Sequence, residues 1–185
     1  MLPVSTEKLH NIYLSCHNKV STDTRKIELG SLFFCLKGGN FNGNLFAAEA
    51  LDKGAAYVVV DDKHVIKDER YLWVEDVLTS LQTLSHYQRK YQPVKILGIG
   101  GSNGKTTTKE LTLCVINSFA KAKATAGNLN NHIGVPLTLL SLDESVDVGI
   151  IEMGTNHPGE MKVLCELADP DIGIVTNVGK EHLEG

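Results

Sequence analysis

From about residue 44 onward, blocks of apolar and polar residues predict helices and strands in turn. The segment NLFAAEALDKGA predicts a short helix closed by Gly54, and AAYVVVDD, too short for a helix and rich in valine, predicts a buried strand. YLWVED predicts another strand. Apolar residues then recur every three or four positions from Val77 to Tyr91, which indicates a helix that begins near Asp76 and is ended by Pro93.

A second series of elements begins after that proline. VKILGIG predicts a strand, and a helix follows from Lys105 to about Phe119. Further along the chain, KAKATA, VDVGIIEMG and DIGIVTNVG predict strands, while IGVPLTLLSL and HPGEMKVLCELA predict helices, the second with proline near its first turn. Strands that alternate with helices predict a parallel sheet covered on both faces, so the fold class is α/β.

The helix that ends at Pro93 is the predicted domain boundary, which divides the chain into residues 1–85 and 86–185. The sequence stops at KEHLEG, directly after a predicted strand, where a parallel sheet would normally continue. We therefore expect the sequence to be the N-terminal portion of a longer protein, with an incomplete second domain.

Composition excludes some classes of function. The chain has 185 residues, 42% hydrophobic and 22% charged, with a net charge of −4 that gives no reason to expect a nucleic acid partner. No apolar run approaches a membrane span, and the N-terminus lacks an export signal. Four widely separated cysteines predict reduced thiols of a cytoplasmic protein, packed as small buried hydrophobes: Cys16, Cys35, Cys114 and Cys165.

The stretch GIGGSNGKTTTKE joins a predicted strand to a predicted helix, the order that binds phosphate. It departs from the strict loop pattern G-x-x-x-x-G-K-[ST], because Ile99 stands at the first glycine position. Glycine lets successive backbone amides point inward, as Gly100, Gly101 and Gly104 would allow. Lys105 would then reach the phosphate oxygens and the Thr106 hydroxyl would bind Mg²⁺. The alternative is a glycine turn before a solvated lysine.

Two further residues are candidate metal ligands. Glu152 ends the apolar run VGIIE, and ligands of parallel sheets lie beyond the carboxyl ends of the strands, so its carboxylate is expected near the loop. The alternative is a helix-capping or merely exposed glutamate. His182 follows another strand, although its spacing alone favours a structural histidine.

The loop GGSNGKTT resembles that of the Mur ligases, which make peptidoglycan precursors, and of relatives such as folylpolyglutamate synthase. TNVGKEHLEG resembles the family motif N-V-x-x-x-H-L, whose histidine helps to hold a second metal. The resemblance implies catalytic roles for Lys105, Glu152 and His182, and metal ligands in Thr106, Glu152 and His182. It implies nucleotide contacts from Gly101, Ser102, Asn103, Gly104, Lys105, Thr106 and Thr107.

Two segments, TAGNLNNHIGVPLTLL and IIEMGTNHPGEM, resemble the branch of the family that adds D-alanyl-D-alanine to UDP-N-acetylmuramoyl-tripeptide. The sister ligase that adds the third peptide residue usually has E-V-S-S-H where this chain has EMGTNH. The resemblance implies that Asn128, Asn130 and Asn131 line the substrate cleft, with Asn128 and Asn131 binding substrate. The alternative is a polar loop with asparagines in turn positions.

Residues 21–61 resemble the family's uridine-diphosphate domain. Departures at Cys35, where alanine is common, and Asn42, where aspartate is common, leave the exact uridine contacts open. Arg25 could equally pair with Asp23 or Glu28 on the surface. The expected contacts to the diphosphate or the uracil come from Thr24, Arg25 and Lys37.

The resemblance implies a small N-terminal domain that binds the UDP precursor, followed by a truncated P-loop ATPase domain. In the implied reaction, the tripeptide carboxylate takes the γ-phosphoryl group of ATP in the presence of Mg²⁺, and the amine of D-alanyl-D-alanine displaces phosphate from the acyl phosphate. The family's carbamylated lysine and C-terminal domain would lie beyond Gly185, so this portion alone is expected to be inactive. A monomer is expected.

Three alternatives remain open from the sequence: a sister ligase, a UDP-precursor-binding module without catalysis, and a nucleotide switch or transport ATPase. The last is disfavoured, because the strict first glycine of the loop and an N-K-x-D motif are both missing. The sequence does not distinguish diaminopimelate from lysine as the third peptide residue.

Overall fold

The computed structural model describes residues 2–179 of the chain. The chain divides into two compact units, Met1–Tyr87 and Gln88–Gly185, with the division inside the helix Val77–Arg89. Both units are α/β with parallel sheets, which confirms the predicted fold class. In residues 2–179, no helix is long and apolar enough to cross a membrane.

The first unit is built on a four-stranded parallel sheet in the order β1-β2-β5-β6, beside a two-stranded antiparallel hairpin, β3-β4. Single 3₁₀ turns connect several of its elements. The elements in chain order are α1 (Thr6–Ser15), β1 (Val20–Ser21), β2 (Leu32–Phe34), β3 (Lys37–Gly38), β4 (Phe41–Asn42), α2 (Ala47–Asp52), β5 (Tyr57–Val60), β6 (Tyr71–Trp73) and α3 (Val77–Arg89).

The centre of this sheet explains its sequence pattern. Three consecutive valines of β5 are fully buried, so both faces of this strand are shielded from solvent. Helix α2 packs on one of the two faces. Ala47 and Ala50 present only methyl groups to the sheet, so α2 packs close to it. The predicted helix over NLFAAEALDKGA is half α-helix, since Gly43–Phe46 forms a 3₁₀ turn before α2.

The second unit contains a four-stranded parallel sheet in the order β10-β7-β9-β8. One face packs on α4, and the opposite face packs on α5 and α6. Every helix and strand predicted for residues 94–179 is present, although α4 ends earlier than expected. The elements are β7 (Lys95–Gly100), α4 (Lys105–Ile116), β8 (Ala122–Ala124), α5 (Gly134–Leu140), β9 (Val148–Glu152), α6 (Glu160–Ala168) and β10 (Ile172–Val175).

Glycines at alternate positions of β7 shape the face covered by α6. A side chain at Gly98 would meet the terminal methyl group of Met153, and one at Gly100 would meet that of Met161. The two methionines therefore fill the space that the missing side chains leave. This packing brings α6 close to the strand that leads into the candidate loop.

All four cysteines are free thiols, as predicted. Cys16 and Cys35 are buried, and burial is the main reason that the pKa of the Cys35 thiol is raised to about 12. The expectation that all four are buried is wrong for Cys114, which is exposed on α4, and Cys165 is only partly buried.

One carboxylate ties three segments of the second unit together. Asp171 lies just before β10 and accepts hydrogen bonds from the Ile96 backbone N–H at 2.8 Å and from Lys95 Nζ at 2.9 Å. It also accepts one from Arg89 Nη2 at 2.9 Å. The Ile96 N–H, followed by Lys95, holds the pKa of Asp171 below its ordinary value.

We expect Asp171→Asn to lower the free energy of unfolding at pH 7 by about 1 kcal/mol, since the amide NH₂ faces cations that the carboxylate attracts. Because the folded-state pKa is depressed, the stabilisation is complete above the unfolded-state pKa of about 4 and is lost as pH falls through the folded-state value. Urea unfolding from pH 7 to pH 3 would show the difference from wild type shrinking. The control is Glu144→Gln, which removes the charge of an exposed glutamate in the same unit. A pH-independent difference would contradict the role assigned to the charge.

Candidate active site

The loop between β7 and α4 depends on two glycines for different reasons. Gly101 has φ +121° and Gly104 has φ +80°, conformations that disfavour other residues. A Cβ atom at Gly101 would also collide with Thr176 Oγ1, whereas the space around Gly104 is open. Ile99, at the first glycine position of the strict pattern, is fully buried in β7 and does not fold across the loop.

The segment after β10 holds the loop from one side. Asn177 accepts hydrogen bonds from the backbone N–H groups of Ser102 (3.0 Å, to its carbonyl) and Asn103 (2.9 Å, to its side chain), and its Nδ2 donates to the Asn103 carbonyl at 2.9 Å. Thr176 Oγ1 donates to the same Asn103 carbonyl at 2.6 Å. The N–H groups of Ser102 and Asn103 are thus engaged by Asn177 rather than pointing into an open cradle.

The beginning of α4 supplies donors that the loop does not use. The first N–H groups of any α-helix lack partners within it, and here they belong to Lys105, Thr106 and Thr107. Gly104 precedes them without a capping side chain, so nothing on that residue obstructs them. The positive end of the helix dipole therefore points out beside the loop, an arrangement that attracts phosphate.

Lys105 lies over the loop rather than in solvent. Its Nζ donates to the backbone carbonyls of Gly101 and Ser102, each at 2.6 Å. These contacts place one positive charge at the mouth of the loop, next to the start of α4. The simple alternative of a solvated lysine after a glycine turn does not describe this geometry.

Glu152 is buried at the end of β9, with 2% of its surface exposed. It lies opposite Ile99 in the register of β9 with β7, which brings it beside the loop. Its Oε1 accepts hydrogen bonds from Thr106 Oγ1 at 3.1 Å and Asn130 Nδ2 at 2.9 Å. Glu152 is therefore neither exposed nor a helix cap, the two alternatives that the sequence left open.

The second carboxylate oxygen of Glu152, Oε2, is buried and makes no hydrogen bond. The other oxygen, Oε1, lies beside the Thr106 hydroxyl, and a carboxylate next to a hydroxyl is a donor set that suits a hard cation such as Mg²⁺. No cluster of three or more histidine, cysteine, aspartate or glutamate side chains occurs in residues 2–179. A cation here would take its other ligands from phosphate oxygens and water, as Mg²⁺ commonly does. His182, the other predicted ligand, lies outside the described residues.

A polar cavity of about 310 Å³ lies next to Lys105. The structure brings Asn128, Asn130 and Asn131 together there, with Gly154, Thr155 and Asn156 opposite. Asn131 also has a structural task, because its Oδ1 accepts hydrogen bonds from the backbone N–H groups of Ile133 (3.0 Å) and Gly134 (2.9 Å) at the start of α5. Both sequence-based readings of this segment are compatible with its geometry.

A larger cavity of about 690 Å³ lies between β10 and α6 and shares Gly101 and Ser102 with the loop. Among residues 2–179, its lining includes methionine, proline, asparagine and histidine side chains, but no lysine, arginine, aspartate or glutamate. The smaller cavity, in contrast, is lined by Lys105, whose ammonium group can neutralise phosphate. The chemistry therefore favours the smaller polar cavity as the reaction cleft.

The predicted uridine-diphosphate contacts lie in the first unit. Arg25, next to Thr24 in a 3₁₀ turn, is bidentate to Asp23, and this hydrogen bonding keeps the pKa of Asp23 well below its usual range. Lys37 Nζ lies 2.8 Å from Asp61 Oδ1. Burial raises the pKa of Asp61, but hydrogen bonds from Lys37 and Asn44 outweigh it, so the pKa is lowered overall.

Sequence reasoning missed Asn44, which is buried and links the hairpin to the end of β5. Its Nδ2 donates to Asp61 Oδ1 at 2.7 Å and to Asn42 Oδ1 at 2.9 Å. Asn42 Oδ1 also accepts from the Asn44 backbone N–H at 3.0 Å. An amide oxygen at position 42 thus caps the following turn, which is a task that a carboxylate could also perform.

Comparison with protein families decides the relationship of this chain. Residues 17–103 match the model described as "Mur ligase family, catalytic domain", and residues 99–185 match the Mur ligase middle domain. The chain belongs to the Mur ligase family. The model that matches most of the first unit is described as a catalytic domain and does not mention the UDP precursor. The predicted role of this unit, binding the UDP precursor, therefore stays a prediction.

Two curated relatives are called UDP-N-acetylmuramoyl-tripeptide–D-alanyl-D-alanine ligase. The one from Bacillus subtilis is 40% identical over 167 residues, and the match covers 89% of this chain and 36% of the relative. The one from Escherichia coli is 40% identical over 166 residues, with 90% and 36% covered. The chain thus spans little more than a third of the length of these Mur ligases.

Solved Mur ligases have the same fold. The crystal structure of MurF from Acinetobacter baumannii has a TM-score of 0.83 and 30% identity, with 99% of this chain and 43% of that chain covered. MurF ligase from Thermotoga maritima in complex with ADP has a TM-score of 0.80 and 30% identity, with 89% and 38% covered. Both matches extend across the two units of this Mur ligase chain.

We expect Gly101→Ala to weaken ADP binding by the full-length protein severely and to lower its free energy of unfolding by about 1–3 kcal/mol, because the new Cβ meets Thr176 and the backbone is left-handed. Gly173→Ala in β10 is the matched control, since a Cβ there meets nothing within 4 Å. Calorimetric titration with ADP and urea unfolding would measure both effects. Equal behaviour of the two variants would contradict the close approach at Gly101.

Proposed function

We propose that the full-length protein is an ATP-dependent ligase that joins D-alanyl-D-alanine to UDP-N-acetylmuramoyl-tripeptide. The observation that carries the ATP part is the meeting of Lys105, Thr106 and Glu152 where β7 and β9 end. The curated relatives named for this reaction support the choice of substrates. Since the chain spans about a third of their length, the activity belongs to the longer protein.

The reaction must overcome the poor reactivity of a carboxylate toward an amine. In the proposed sequence, an oxygen of the tripeptide carboxylate attacks the γ-phosphorus of ATP, the bond to ADP breaks, and an acyl phosphate forms. The amine of D-alanyl-D-alanine then attacks the carbonyl carbon, phosphate leaves with the bonding electrons, and the amine gives up a proton. ADP, phosphate and the peptide are the products.

Phosphoryl transfer between anions depends mainly on alignment and charge neutralisation. Lys105 would exchange its two carbonyl partners for phosphate oxygens, assisted by the free N–H groups at the start of α4. Thr106 and Glu152 would hold Mg²⁺, which supplies positive charge where negative charge accumulates on the phosphates. The buried position of Glu152 keeps that carboxylate in place without contact to bulk water.

The peptide carboxylate would bind in the polar cavity beside Lys105. Asn128 and Asn131 are proposed to orient it, since amide groups both donate and accept hydrogen bonds. In the first unit, Thr24, Arg25 and Lys37 are proposed contacts for the uridine diphosphate. Arg25 is highly exposed, so its planar guanidinium can turn from Asp23 toward a diphosphate at little cost.

A panel of amino acceptors tests the choice of reaction. With full-length protein, ATP and UDP-N-acetylmuramoyl-tripeptide, we expect phosphate release with D-alanyl-D-alanine and none with diaminopimelate or L-lysine. Coupled detection of ADP provides the measurement. Turnover with UDP-N-acetylmuramoyl-dipeptide and either diamino acid would instead identify the sister ligase. Calorimetric titration that shows binding of the tripeptide precursor but no binding of ATP would identify a binding module.

We expect Lys105→Ala to abolish turnover while the protein stays folded, because it removes at least about 3 kcal/mol of transition-state stabilisation. Steady-state ADP release and thermal unfolding of the full-length protein would measure the two properties. Lys162→Ala, which removes an exposed lysine on α6, is the matched control and should have wild-type activity. Near-normal activity of Lys105→Ala would refute the catalytic role.

A further inference from the structure

Lys109 is a buried cation that the proposed mechanism does not use. It follows Lys105 by one turn of α4, and only 1% of its surface is exposed. Lysine is almost never fully buried unless it is paired, because removing an ammonium group from water carries a large desolvation penalty. Its burial within α4 therefore requires compensation from its surroundings.

Three acceptors surround the ammonium group of Lys109, which has three N–H groups. The Thr125 carbonyl lies 2.9 Å from Nζ, Glu110 Oε1 lies at 3.0 Å, and Glu152 Oε2 lies at 3.7 Å. Thr125 also contacts Glu152 directly, since its Oγ1 accepts a hydrogen bond from the Glu152 backbone N–H at 2.9 Å. Lys109 and Thr125 thus form one support behind the glutamate.

The two oxygens of Glu152 have different environments. Oε1 accepts hydrogen bonds from two neutral groups, the Thr106 hydroxyl and the Asn130 amide, and faces the loop. Oε2 faces Lys109 at a distance too long for a hydrogen bond. Within residues 2–179, Lys109 is the single lysine or arginine in an ion pair with Glu152. The positive charge that balances this buried carboxylate comes from the side away from the nucleotide loop.

We infer that Lys109 is a positioning residue that holds Glu152 in the orientation in which it receives a divalent cation. This inference rests on the proposed function, since it assigns the cation to the nucleotide complex. Lys109 does not touch the nucleotide; it acts through Glu152. Residues behind a metal ligand fix its orientation, and their loss typically weakens metal binding by about 10–100-fold.

Calorimetric titration of the full-length protein with ADP, with and without Mg²⁺, separates this role from a general loss of structure in the nucleotide site. The quantity compared is the gain in ADP affinity that Mg²⁺ produces. We expect Lys109→Met to reduce that gain by about tenfold or more, while the affinity for ADP without Mg²⁺ stays within about twofold of wild type. The control, Lys162→Met, should leave both values unchanged. Equal loss of affinity with and without Mg²⁺, or no loss, would overturn the inference.

A double-mutant cycle covers the case in which Lys109→Met fails to fold because it leaves a buried carboxylate unpaired. Lys109→Met combined with Glu152→Gln removes both buried charges, and we expect the pair to fold and to show the same Mg²⁺ gain as Glu152→Gln alone. Such non-additivity is required if Lys109 acts only through Glu152. A further loss in the pair, or a pair that also fails to fold, would show another role for Lys109.

The wild-type titration separates failure of this inference from failure of the proposed function. If wild-type protein does not bind ADP in the presence of Mg²⁺, the proposed nucleotide site is wrong. If wild type binds ADP and gains affinity with Mg²⁺ while Lys109→Met behaves identically, the nucleotide site stands and only the role of Lys109 is wrong.

Discussion

The parallel register of β10, β7 and β9 is the constraint on which the site depends. In that register Gly100 lies opposite Val175, and Ile99 lies opposite Glu152, so three chain segments leave the sheet at the same edge. Backbone hydrogen bonding fixes this alignment along the whole strand, and a slip by one residue would turn Glu152 to the other face. The positions of the glycine loop, of the segment after β10 that holds it and of the Glu152 carboxylate all follow from this one pattern of strand pairing.

That arrangement concentrates opposite charges where little water reaches. Glu152 and Lys109 are both nearly inaccessible, and Lys105 is held against loop carbonyls. In such surroundings each charge is strongly coupled to its neighbours, and an unpaired one is costly. The site is therefore held by contacts among its own members as well as by the sheet, which leaves little freedom for any one side chain.

Much of this could be predicted from sequence because it follows from local rules. A glutamate at the end of an apolar strand must emerge at the edge where a glycine loop also emerges, and this placed Glu152 beside Thr106 correctly. The helices and strands after residue 94 have strong periodicity. In contrast, α1 buries only Leu9, His10 and Tyr13, and β1 has only two residues, so neither has a distinctive apolar pattern.

What could not be predicted depends on contacts between segments distant in the chain. Asn177 engages the N–H groups of Ser102 and Asn103 across more than seventy residues, and nothing near either segment signals it. In the sequence, Lys109 resembles an ordinary surface lysine of a helix. Its burial becomes apparent only from the packing of α4 on the sheet. The structural role of Asn44 likewise depends on its hydrogen bond to Asp61, which lies after a different strand.

The methionines that occupy the space beside Gly98 and Gly100 have a chemical consequence. Oxidation of a thioether adds an oxygen and makes an apolar side chain polar. Met153 is almost inaccessible, but Met161 is partly exposed on α6 and its methyl group lies against the last residue of β7. A sulfoxide at Met161 would therefore place a polar oxygen where α6 meets the end of β7, next to the glycine loop.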